Sequence, residues 1–181
     1  AIEYVTRMAP GGKAGAIDNI VMISADVDRE TFERDIAEQV LTAAKVNAGR
    51  RITLYVSLAD NALAASRTLH GYPRLGSPYC FNPFEAARLK AAGEPVRCYP
   101  LEARYDTPTI QRAMTVVDTT DVSHSKAGHS DYLHSAPACR DFHAVLNNDR
   151  DGVARQPTRL GYVFRLTPDP EADSAAVCKE P

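Results

Sequence analysis

The sequence predicts an α/β fold built on a parallel sheet, and three observations predict it. Three short runs, NIVMIS (19–24), ITLYVS (52–57) and MTVVDTT (114–120), are almost uninterruptedly apolar or β-branched. Strands covered on both faces show such continuous runs, whereas half-buried strands alternate, so these read as the interior of a parallel sheet. Amphipathic segments separate the runs, and each run ends in acidic or hydroxyl side chains. Strand, helix and strand in that order make a βαβ unit, with a right-handed crossover expected.

Taken in order, the opening AIEYVTRMA reads as helix, with Ile2, Val5 and Met8 on one face. No N-cap precedes it and there is no initiator Met, so the chain reads as truncated or processed. A mature terminus left by signal cleavage would look the same, although residues 1–16 lack a basic-then-apolar pattern. After the first strand, Asp28 is placed to cap a helix over 29–48, where Phe32, Ile36, Val40, Leu41 and Ala44 form one stripe and Gly49 supplies a stop. NALAASRTLH (61–70) is a second helix, stopped by Gly71. In NPFEAARLKAAG (82–93), Asn82 is a cap, Pro83 suits the first helical position, Glu85 completes a capping box and Gly93 ends the helix. The long excursion between the second and third strands, with its Pro- and Tyr-rich part 94–108, reads as a surface insertion or a wall of a binding site. ACRDFHAVLNN (138–148) is a fourth helix and RLGYVFRL (159–166) an edge strand. One domain over 1–166 and a flexible tail over 167–181, rich in Pro, Glu, Asp and Ala, follow from this reading.

The 181 residues suffice for one domain with a real core, and 44% hydrophobic with 24% charged is ordinary for a globular chain. A net charge of −2 with scattered basic residues argues against nucleic acid as a partner. No apolar run approaches the roughly 20 residues of a membrane span. Four cysteines, at 80, 98, 139 and 178, include no C-x-x-C pair, so a zinc ribbon or redox motif is unsupported. Cys80 and Cys98 would staple one loop in an oxidising compartment; four unrelated thiols is the equal alternative.

Ligands of open α/β sheets bind beyond the carboxyl ends of the strands. Ser24, Asp26 and Asp28 follow the first strand here, Ser57 and Asp60 the second, and Asp118, Asp121, His124 and His129 the third. Asp60 taken alone reads as a helix cap, Asp28 more strongly so. A lone loop histidine such as His129 is usually just solvated. An acid after one strand and a histidine after the next nevertheless suit a carboxylate that orients an imidazole acting as general base. His124, His129 and His134 are spaced by five, with Asp131 among them and His143 beyond, which does not match the three or four of helical metal ligands. No serine fits a nucleophile elbow. Ser24 and Ser57 lack small flanking residues and an immediate helix, and Ser125 in SHSKA follows the acid and has lysine in the turn.

NIVMISADVDRETFERDI, ITLYVSLADNALAASRTLHGYPRLG and VVDTTDVSHSKAGHSDYL, in that order and spacing, resemble the C-terminal half of a bacterial α/β-hydrolase family of uncharacterised, esterase-like function. The resemblance runs over roughly 17–146 and leaves out 77–112, which reads as a family-variable insertion and possible cap. It implies that 19–24, 52–57 and 114–118 are strands six to eight of the hydrolase sheet. Asp60 is then the triad acid and His129 the triad histidine, with Asp26 and Asp28 as runner-up acids. It further implies that strands one to five, the oxyanion loop and the nucleophile elbow lie upstream of Ala1, with the serine roughly ten to twenty residues before it. The expected protein is thus a fragment of a serine hydrolase, inactive alone and needing no cofactor or metal. Its partners would be a small ester or lipid-like substrate and the missing N-terminal half. A non-catalytic interaction module on the same scaffold is the rival reading, and a metal-dependent hydrolase the third.

Overall fold

The computed structural model describes residues 19–37, 51–102, 113–123, 129, 135–147 and 155–168. The expectations for 1–16, for the far half of the first helix, for most of the histidine loop and for the C-terminal tail lie outside them.

Five strands form one sheet: β1 (Asn19–Ile23), β2 (Arg51–Val56), β3 (Met114–Asp118), β4 (Arg155–Pro157) and β5 (Val163–Leu166). Their order is β1-β2-β3-β5-β4. The first three strands and β5 run parallel, in register Ile20–Ile52, Leu54–Val116 and Val116–Val163, and β4 closes the edge antiparallel to β5. RLGYVFRL is therefore not an edge strand. Its second half is β5, paired on both sides, while its first half is the turn that joins β4 to β5. Arg155–Pro157 is the true edge, and its proline sits where an edge tolerates a missing donor.

The continuous apolar runs have the cause inferred for them. One face of the sheet buries Leu54, Val56, Val116 and Val163 against Phe32, Leu75, Tyr99, Leu101 and Tyr162. The opposite face buries Val21, Ile23, Tyr55, Val117 and Leu166 against Ala138, Phe142 and Val145. The covering element on that second side is α4 (Ala136–Leu146), which starts two residues earlier than its sequence pattern suggests, with Pro137 in its first turn. It is pinned by a buried polar cluster. Tyr55 donates to Asp141 at 2.7 Å, and Arg155 donates to both oxygens of Asp141 at 2.6 and 2.9 Å, so β2, α4 and β4 share one carboxylate.

On the first side, α1 (Arg29–Thr31) begins where Asp28 accepts from the Thr31 amide at 2.7 Å, then widens into a π-helical stretch over Phe32–Ile36. Two further helices follow β2. The first, α2 (Asn61–His70), ends at Gly71, whose φ of 75° is the left-handed conformation a C-terminal stop needs. The second, α3 (Pro83–Ala91), is capped by Asn82, which accepts from the Phe84 amide at 3.0 Å, and ends at Gly93 with φ 70°. Glu85 does not close a capping box among the described residues; it lies 4.0 Å from Arg88 instead.

The chain between α2 and β3 is tied down at three levels. Residues 73–77 form a strap across the carboxyl ends of β1 and β2. The amides of Leu75 and Gly76 donate to the Val27 and Ala25 carbonyls at 2.8 and 3.0 Å, and Ser57 donates to the Gly76 carbonyl at 2.9 Å. The strap lies so close that a Cβ on Gly76 would stand 2.5 Å from the Ala25 nitrogen and 2.8 Å from the Ser24 carbonyl carbon. Buried Arg29 donates to the carbonyls of Ser77 and Tyr79 from below. Farther on, Cys80 and Cys98 form a disulfide that packs with Leu89. The staple between the two cysteines is thus made, and Cys139 is disulfide-bonded as well.

Candidate active site

The parallel strands bring the polar strand ends to one edge, as their order requires. Asp60 lies four residues beyond β2, where the loop 57–60 is fixed by its own hydrogen bonds. Ser57 Oγ accepts from the Ala59 amide at 3.1 Å, and Thr120 Oγ1, beyond β3, accepts from the Leu58 amide at 3.0 Å. Asp60 caps α2, with Oδ1 accepting from the Leu63 amide at 3.0 Å, and its side chain is wholly buried. The carboxylate therefore sits at the amino end of α2, where the helix's unpaired amides point.

The cap has a second partner. His129, 69 residues away in sequence, places Nδ1 3.0 Å from Oδ2 and 3.3 Å from Oδ1 of Asp60. The imidazole is 42% exposed while the carboxylate is not exposed at all. A buried carboxylate accepting from Nδ1–H fixes the tautomer that leaves Nε2 as the basic nitrogen. Asp60 thus caps α2 and pairs with His129 at once, because a carboxylate offers about four acceptor sites.

The carbonyl of His129 is held too. Ser24, in the sparsely occupied region at φ 46°, donates through Oγ to it at 3.4 Å, a long contact. Among the described residues no serine hydroxyl is hydrogen-bonded to the His129 ring. His124, Ser125, Asp131 and His134 lie outside the described residues, and His143 is an exposed residue of α4. Among the described residues no group of three His, Cys, Asp or Glu side chains is placed to hold a metal ion. The runner-up acids are engaged elsewhere. Exposed Asp26 accepts from Ser66 at 2.7 Å and stands 3.1 Å from Arg74, and Asp28 caps α1.

Sequence reasoning noted Asp118 only as one of several polar strand ends. The structure makes it the hub behind the site. Its side chain is fully buried and accepts from Arg97 at 2.9 Å, from the Tyr99 hydroxyl at 2.7 Å, and from the Thr120 amide and hydroxyl at 2.9 and 2.6 Å. Arg97 also bridges to Asp121 at 2.6 Å. Burial by itself would lower the Arg97 guanidinium, but its bonds and charges with Asp121 and Asp118 outweigh that and raise it. Burial, then the Asp118 carboxylate, push the Tyr99 phenol up. The chain of contacts Arg97–Asp118–Thr120–Leu58 thus runs from the excursion to the loop that carries Asp60. No local pattern marks it; the one available signal was an arginine and a tyrosine two apart in the excursion, with a lone acid ending a buried strand.

The model of a family described as alpha/beta hydrolase of unknown function (DUF900) matches residues 1–148. No curated protein and no solved structure matches the chain significantly.

Proposed function

Because the chain belongs to that family of α/β-hydrolases, we propose that it carries the acid and the base of a serine hydrolase acting on ester-like substrates, small or lipid-like. The serine of the triad is assigned to sequence N-terminal to Ala1. The observation that carries this reading is the hydrogen bond between buried Asp60 and half-exposed His129 at the carboxyl edge of the sheet.

In the proposed reaction His129 Nε2 accepts the serine proton as the serine oxygen attacks the ester carbonyl. The resulting imidazolium stays paired with Asp60, which remains ionised. When the tetrahedral intermediate collapses, the bond to the alcohol oxygen breaks and His129 returns the proton to that oxygen. Water, deprotonated by the same nitrogen, then releases the acid and regenerates the serine. No step uses a cofactor.

The test is hydrolysis of p-nitrophenyl esters by the full-length protein, together with covalent labelling by a fluorophosphonate. His129→Ala should lower kcat by about a thousandfold or more, as loss of a triad member does elsewhere. Full activity in that variant, or an active enzyme that the fluorophosphonate never labels, would overturn the triad. Absence of any activity together with unlabelled protein favours a binding module on the hydrolase scaffold.

A further inference from the structure

A cavity of about 260 Å³ lies between the excursion and the β4–β5 turn, lined by neither Asp60 nor His129. Leu89, Pro95, Pro157 and Leu160 give it apolar wall, and three arginines, Arg97, Arg159 and Arg165, also face it, as does Glu94, whose carboxylate is paired with Arg159. The three are not equivalent. Arg97 is held between Asp118 and Asp121, and Arg159 between Glu94 and Glu102, so both spend their charge on the protein's own carboxylates. The Arg165 side chain makes no ion pair or hydrogen bond among the described residues, and its Nε is shut off from solvent without an acceptor.

That is an unusual position for arginine. Its neighbour across the sheet is Asp118, in direct register, yet the four donors from Arg97, Tyr99 and Thr120 already fill that carboxylate. A guanidinium left without an acceptor in a partly dry place is costly, and an anion that reached it would recover the bond. Apolar walls around one unspent cation select a ligand with the opposite layout, a single negative group on a compact apolar body. The volume falls just below the range of drug-sized sites, which sets the ligand small.

We propose that this cavity binds a small monocarboxylate with an apolar body, its carboxylate on Arg165. The site is separate from the Asp60–His129 pair and independent of the reaction assigned to it. Tyr99 lines the cavity and also donates to Asp118, so a bound ligand touches the network that runs on to the Asp60 loop.

Benzoate and its neutral isostere benzamide are suitable probes, titrated into the purified protein by calorimetry and by saturation-transfer NMR. Benzoate should bind saturably, benzamide at least tenfold more weakly, and added salt should weaken benzoate alone. Arg165→Gln should lose at least tenfold in benzoate affinity. Pro95→Trp, on the exposed rim, should block the cavity without disturbing the core and lose binding as well, which settles the matter should Arg165→Gln fail to fold. His129→Ala should bind benzoate as the unaltered protein does. Equal binding of the two probes, no benzoate binding, retained binding in Pro95→Trp, or loss in His129→Ala would each overturn the proposal.

Discussion

At Asp60 one side chain has two employments, and they can be separated. Asn is as good an N-cap as Asp, because its carbonyl oxygen accepts the same amide. Asp60→Asn should therefore unfold within about 0.5 kcal/mol of the unaltered protein, while Asp60→Ala loses about 1 kcal/mol or more from the missing cap alone. On the proposed triad, Asp60→Asn also removes the acceptor that fixes the His129 tautomer, and kcat should fall about ten-thousandfold. Urea denaturation beside ester kinetics reads both effects, and a large stability loss in Asp60→Asn would mean that the cap is not what holds the residue there. The pairing of Asp60 with His129 was legible in two steps: parallel strand order puts consecutive strand ends side by side, and the resemblance to a hydrolase family singled these two out among the acids and histidines there. What the sequence leaves open at this scale is which acids are spent elsewhere. Asp26, Asp28 and Asp118 look alike in a string of letters and differ only in their partners, Arg74, Thr31 and Arg97.

Among the elements, the strap at 73–77 is the least visible in the sequence and the most exacting in the fold. Gly76 reads like any turn glycine, but its φ is not the reason for it. The reason is close approach: the two nearest atoms are main-chain atoms of Ala25 and Ser24, which cannot give way as the third, Leu63 Cδ1 at 2.9 Å, can. Gly76→Ala would have to push the strap off Ala25 or move the end of β1, so it should destabilise by about 1–3 kcal/mol, measured by thermal or urea unfolding. An unchanged midpoint would show that the strap is not seated as described. The ends of α2 and α3 were well marked, since caps and stops are local chemistry: Asp60, Gly71, Asn82 and Gly93 do what their positions suggested. Strand β4 was not marked, because Arg155–Pro157 has neither alternation nor an apolar run and exists only by pairing with β5.

For the molecule as a whole, the sheet is stitched to its surroundings by buried phenols on both faces. Tyr55 donates to Asp141 on one side and Tyr99 to Asp118 on the other. Burial first, and the adjacent carboxylates second, raise both phenols above the ordinary value of 10.0. A group whose value is raised on folding stabilises the native state fully below its unfolded pKa. That stability is lost as pH climbs from the unfolded value toward the folded one. Global stability should therefore decline as pH rises past about 10, with tyrosinate absorbance from these two residues emerging only together with unfolding. Tyr99→Phe should be less stable at neutral pH and decline more gently in alkali; an equally steep decline would clear Tyr99 of any part in it. The parallel core of the sheet was readable from three apolar runs. Its far edge and the way the excursion folds back on it depend on contacts between distant segments, for which local sequence carries no period.

The hub at Asp118 ties the end of β3 to the excursion across the fold. A carboxylate buried at a strand end is stable there because an arginine 21 residues earlier answers it, and removing such a partner from a buried pair costs about 3–5 kcal/mol. The arginine of the excursion and the acid that ends β3 are therefore one energetic unit, and neither can be exchanged without loss while the other stays.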